Sequence, residues 1–225
     1  MFTGYRDETL DFMWGIRLNN DRSWFMEHKE EYLQHLYQPT MDLGREVYDR
    51  FTEKFPDIKV NLHVSRIYRD ARRLHGRGPY KDHLWFCVRT GDEDWTGKPT
   101  FYFEIAPDYY SYGLGFWAAS PATMERFRRH AAEHPEELEE LTRQLNARGR
   151  FTIAGPRYAR EKKAPSDLLQ PWFQMKSVTL QFEKPYTLKA GEITLTLTGA
   201  EDFDRGWGRE LRLVYKVDYG SLEKV

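Results

Sequence analysis

Cysteine is almost absent. Cys87 stands alone among 225 residues, which excludes an internal disulfide and any zinc site built from clustered cysteines. Long apolar runs are absent too. No stretch approaches the ~18 apolar residues of a membrane span. The first twenty residues carry Arg6, Asp7, Glu8, Asp11 and Arg17, so they lack the apolar centre of a secretory signal. Neither sign of charge is in excess, with 34 Lys+Arg against 35 Asp+Glu. Wholesale attraction to nucleic acid or to an anionic membrane is therefore not expected. The expectation is a soluble cytoplasmic protein. No Walker sequence, no dinucleotide fingerprint and no GxSxG elbow occurs. No cofactor is expected, and no motif names a reaction.

What is present is 40% hydrophobic and 16% aromatic residues, enough for a sizeable core in a chain of this length. The periodicity changes along it. Leu10, Met13, Trp14 and Ile16 fall at helical spacing over 7–18. A longer helical stretch over 22–55 carries Trp24, His28, Tyr32 and Leu36 every four residues, and Pro39 should kink or divide it. Segments 61–70, 83–90, 99–106 and 109–117 are short, aromatic and β-branched, and read as strands. With no helix between them they form an antiparallel meander. Helices follow from Ser120-Pro121 and from Pro135 to Gly149. Residues 155–171 read as a polar, basic loop, and 177–183 and 192–198 as strands. The last segment, with Gly206 and Gly208, suits helix and strand equally. The fold class expected is α+β, an antiparallel sheet covered by N-terminal and central helices, in a single domain over 1–225.

One segment looks chemical. Residues 63–83 hold six Lys and Arg against two acids, a local excess of four positive charges on a near-neutral chain. Guanidinium forks match the geometry of phosphate and carboxylate. On a strand, Arg66, Tyr68 and Asp70 share one face and Ile67 and Arg69 the other. The Gly76–Pro79 turn is needed to fold Arg72 and Lys81 back toward them. The opposite reading is that Arg69 and Asp70 merely pin the loop as ion-pair partners. Metal readings are poor. His28 and His35 lie roughly 10 Å apart along a helix axis, too far for one ion, and no metal site is expected. Cys87 sits in a strand apolar on both sides, where a thiol is inert. Tyr102, Tyr109, Tyr110 and Tyr112 either expose stacking faces or are absorbed beneath helices.

Several blocks then resemble a known family. They are Phe2–Tyr5 with Glu8-Thr9-Leu10, Asn19-Asn20-Asp21-Arg22-Ser23-Trp24-Phe25 with Lys29 and Tyr32, and Ser65-Arg66-Ile67-Tyr68-Arg69-Asp70-Ala71-Arg72. Pro79-Tyr80-Lys81, Phe103-Glu104-Ile105 and Gly113–Trp117 before Pro121 continue the series. In order and spacing, over about 2–183, these resemble the bacterial domain-of-unknown-function family 2461. The resemblance implies an α+β domain and no activity. Relatives look as if they end in an amphipathic helix, whereas 189–225 here reads as strand-like and divergent.

The functional expectation is a site for a small anionic ligand, a phosphate or carboxylate. Arg66, Arg69, Arg72 and Lys81 would neutralise its charge. Asp70 would orient an arginine or serve as base, the one catalytic candidate, and Trp24 would form a wall. Asn20, Arg22 and Tyr80 belong to the same two motif blocks and complete the candidate set. The alternative is a non-catalytic module whose basic loop docks an acidic protein or RNA. Whether the chain is an enzyme, and its oligomeric state, are left open by the sequence.

Overall fold

The computed structural model describes residues 1–74, 76–91 and 95–186. Helix α1 (Asp7–Leu18) turns Leu10, Phe12, Met13 and Ile16 inward. Asp21 caps α2 (Arg22–Glu27), its carboxylate accepting from the Trp24 N–H. The stretch over 22–55 is divided at His28, whose backbone leaves the helical region, and stays helical through Pro39. After α3 (Lys29–Glu31) comes a π-helical turn, Tyr32–Tyr37, and α4 (Gln38–Lys54) then begins with Pro39 in its first turn. Proline has no N–H for the carbonyl four residues back, that of His35. The Thr9 hydroxyl donates to that carbonyl instead, at 2.6 Å.

Six strands follow: β1 (Asn61–Val64), β2 (Leu84–Arg89), β3 (Pro99–Ile105), β4 (Tyr109–Phe116), β5 (Thr152–Ala154) and β6 (Thr179–Pro185). They form one antiparallel sheet in the order β1-β2-β3-β4-β6-β5. The α+β class expected from the sequence is what forms. The first strand is shorter than its composition suggests. It stops at Val64, and 65–83 leaves the sheet as a loop with a single helical turn at Ala71–Arg73. Helices α5 (Pro121–Glu133) and α6 (Pro135–Arg148) start and stop where Ser120, Pro135 and Gly149 place them. The stretch expected as a plain basic loop ends in helical structure, a turn at Asp167–Leu169 and then α7 (Gln170–Phe173). The expected strand at 192–198 and the ambiguous last segment lie outside the described residues.

Residues directly opposed across a sheet share a face, so the register defines two faces. One carries Leu62, Phe86, Phe103, Leu114 and Leu180. Helix α4 lies against it. A Cβ on Gly44 would sit 3.2 Å from Leu62, and Phe51 meets Phe101 edge-on at 5.2 Å. Toward β6 the same face meets a second apolar cluster, in which Met124, Ala131, Leu169, Trp172 and Phe173 are buried together. The other face aligns His63 with Cys87 and Tyr102, and Trp85 with Glu104, Ser111 and Glu183. It is polar and aromatic, and it positions the candidate site.

Candidate functional site

The loop between β1 and β2 is fixed by a few hydrogen bonds, each made by a motif residue. Ile67 and Tyr80 are buried, and the backbone pairs Lys81 N–H with the Ile67 carbonyl and Arg69 N–H with the Pro79 carbonyl. The Asn20 side chain then clamps Tyr80 from both sides. Its Oδ1 accepts from the Tyr80 N–H and its Nδ2 donates to the Tyr80 carbonyl, each at 2.9 Å. Arg69 Nε donates to that same carbonyl at 2.7 Å. The clamp needs a glycine at 78, because a Cβ there would lie 2.2 Å from Asn20 Oδ1. Phe25 stacks on the Tyr80 ring at 4.3 Å.

Two residues further on, Asp82 is the acidic hub. Arg17 Nε donates to its Oδ2 at 2.6 Å, and Arg17 Nη1 reaches Asp108 at the same distance. His83 Nδ1 lies 3.0 Å from Oδ1, and the Arg69 guanidinium 3.9 Å from it. The His83 hydrogen bond, and then Arg17, hold the Asp82 carboxyl well below the usual carboxylate range, although burial opposes them. Arg17 also lies 4.8 Å over the Trp14 ring. It thereby ties α1 to the start of β2.

Lys81 stands between these two anchored neighbours and has none of its own. Among the described residues its ammonium makes no hydrogen bond or ion pair, and Nζ lies 5.8 Å from the centre of the Trp85 ring. Burial, and then the Arg69 charge, pull its pKa down to about 8, with Glu104 pulling weakly the other way. His63 packs 5.5 Å from Trp85. Its pKa is lowered by burial and by the positive charges of Arg89, Lys81 and Arg66. Glu104, opposite Trp85 in the register, accepts the Tyr109 hydroxyl at 2.5 Å, and burial together with that bond raises the phenol pKa. Trp117, 70% exposed, stacks on Trp85 at 6.1 Å. A cavity of about 430 Å³ opens beside this group, lined by His63, Arg89, Asn61, Tyr48 and Thr90 among others.

The candidates read from the sequence therefore divide. Asn20, Arg69, Tyr80 and Lys81 come together. Arg72 does not join them: it is exposed and forks onto both oxygens of Asp70, which also caps the Ala71–Arg73 turn. Arg22 is exposed, and Arg66 is exposed but near enough to bear on His63. Trp24 lies flat on His28 at 3.9 Å and against Gly15. Neither Trp24, Arg66, Arg69, Asp70 nor Lys81 lines the 430 Å³ cavity. Sequence reasoning missed His63, Trp85, Arg89, Glu104 and Tyr109 as neighbours. The alternation of β2 already put Trp85 and Arg89 on one face, but the cross-strand register was needed to set His63 and Glu104 beside them. Among the described residues no three His, Cys, Asp or Glu side chains gather into a metal cage. The Cys87 thiol is buried, and burial pushes its pKa up to about 11.

No helix among the described residues is long and apolar enough to cross a membrane. No curated protein matches the chain. The family described as conserved hypothetical protein (DUF2461) matches residues 8–188. The chain belongs to that family.

Proposed function

We propose that the polar face around Trp85 binds a small anionic ligand of the phosphate or carboxylate class. Lys81, Arg66 and Arg89 supply the positive field, His63, its pKa lowered, stands beside them as a neutral imidazole, and Trp85 forms the wall. The observation that carries this reading is the Lys81 ammonium, half-buried and without an acidic partner among the described residues. A buried cation is normally paired, and an anion would complete it. Arg69 and Arg72 have their forks engaged within the protein. In this reading they position the loop and do not touch the ligand. The setting is cytoplasmic, where a lone buried thiol stays reduced.

The test is a titration of the full chain with inorganic phosphate and with citrate, followed by thermal shift and tryptophan fluorescence. A saturable response is expected, lost in Lys81→Met, weakened in Arg89→Gln and retained in Arg72→Gln. No saturable response, or equal responses in wild type and Lys81→Met, overturns the reading.

A second reading is favoured by the exposure of Arg66 and Arg72 on the loop. In it the loop docks onto an acidic protein or RNA. Binding would then fall steeply with salt, and Arg72→Gln would weaken it as much as Lys81→Met.

A further inference from the structure

We propose that the Lys81 amine is a nucleophile that condenses with the carbonyl carbon of a small anionic aldehyde or ketone. The inference rests on the anion-binding reading and specifies its substrate class.

The geometry is that of a presented side chain. Tyr80 on one side is clamped by Asn20 and Arg69, and Asp82 on the other is held by Arg17 and His83. The Lys81 backbone is bonded to Ile67, so the residue cannot swing out without breaking one of these anchors. Its Nζ stands 5.8 Å from the centre of the Trp85 ring and makes no hydrogen bond or ion pair among the described residues. The charged groups that bear on it are Arg69 from the loop and Glu104 from β3, and it acts in turn on His63 of β1. Desolvation and a neighbouring cation are the two devices that free a lysine amine for covalent chemistry. A lysine kept only for its charge would gain from full solvation or a carboxylate partner, and this one has neither.

The reaction balances without a redox partner. The neutral amine nitrogen attacks the carbonyl carbon, and the C=O electron pair moves onto oxygen. A proton passes from nitrogen to that oxygen, giving a carbinolamine. Protonation of its hydroxyl expels water as the nitrogen lone pair forms C=N, and the resulting iminium N–H gives that proton back. Amine and carbonyl give imine and water. Glu104, with the Tyr109 hydroxyl bonded to it, is the acidic group placed on this face to carry the proton. The positive charges of Arg66 and Arg89 would hold the anionic end of the substrate.

The experiment uses the full chain and pyridoxal 5′-phosphate, an anionic planar aldehyde, as the probe. Sodium borohydride reduces any imine to a stable secondary amine, and peptide mass mapping locates it. At pH 8 about half of Lys81 is neutral, against under ~1% of an ordinary lysine. Labelling of Lys81 is therefore expected to run at least about tenfold ahead of the other lysines. Excess inorganic phosphate should suppress it. Lys81→Arg should lose the label and keep the phosphate response, since it keeps the charge. Labelling spread over surface lysines at rates matching Lys81 overturns the inference, and a surviving phosphate response would then leave the anion site standing. Selective labelling by uncharged benzaldehyde as well, with no protection by phosphate, overturns the anionic substrate class together with the anion site, and leaves only the reactive amine.

Discussion

Replacing Lys81 with methionine should make the protein more stable at neutral pH, against the usual outcome of a substitution in a half-buried position. In the unfolded chain the lysine titrates near 10.4; in the folded protein it titrates at about 8. Between those values the unfolded chain holds a proton that the folded chain has released. Stability of the wild type therefore rises as pH climbs from about 8 to about 10.4. Below pH 8 the ammonium is charged in both states, and the full penalty of its desolvation applies. An undiscounted gap of this size would be about 3 kcal/mol. Allowing for partial exposure leaves about 1–2 kcal/mol. Methionine keeps an unbranched stem against Trp85 and removes the charge. Urea unfolding at pH 7 should show Lys81→Met gaining about 0.5 M in midpoint at unchanged slope. The gain should shrink when the measurement is repeated at pH 10.5. A variant less stable than wild type at pH 7 would refute the reasoning, because it would mean that the ammonium is satisfied in the native state.

Arg17→Met removes two charged hydrogen bonds, to Asp82 and to the more exposed Asp108. It should cost about 2–3 kcal/mol, read as a fall in melting temperature of several degrees. The Asp82 carboxyl is strongly depressed in the folded state, so its contribution is fully present above about pH 4 and fades as acid protonates it; the deficit of Asp82→Asn measured by denaturation should shrink steadily as pH falls below about 4 and still be partly present at about pH 2. Gly15→Ala would place a Cβ 2.5 Å from the Trp24 ring. It should destabilise by about 1–3 kcal/mol despite alanine's better helix propensity, and a more stable variant in chemical denaturation would show that Trp24 moves aside freely.

Helix ends were legible in the sequence wherever a local chemical signal fixes them. Ser120, Pro135 and Gly149 bound α5 and α6 where they stand, since caps act over a few residues. The loop after Val64 was not legible. Its residues have strand-like composition, but what peels them from β2 is the clamp of Asn20 on Tyr80, a contact across sixty positions. The candidate site failed and succeeded for the same reason. An arginine-rich run announces charge, but the sequence does not say whether each guanidinium meets a ligand or an acid of the same chain. Arg72 met Asp70, its near neighbour. Arg69 met the Tyr80 carbonyl. Arg66 and Arg77 stayed exposed, whereas Lys81 was left half-buried with no hydrogen bond or ion pair among the described residues, and nothing in its immediate sequence distinguishes it from the others.

That division gives the motif residues a common physical role. Asn20 and Arg69 act on residue 80, and Arg17 and His83 on residue 82, so the anchors bracket residue 81 from both sides. Anchoring a chain this tightly has an entropic cost for every residue ordered, and here it holds in place a side chain whose own burial is unfavourable. A loop selected for stability alone would let Lys81 reach water, or would carry an apolar residue there. Stored unfavourable solvation held by a rigid surround is the physical signature of a preorganised site. On this argument the guanidinium groups matter to function through the lysine they present, and loosening either anchor should raise the Lys81 pKa toward its ordinary value before it unfolds the sheet.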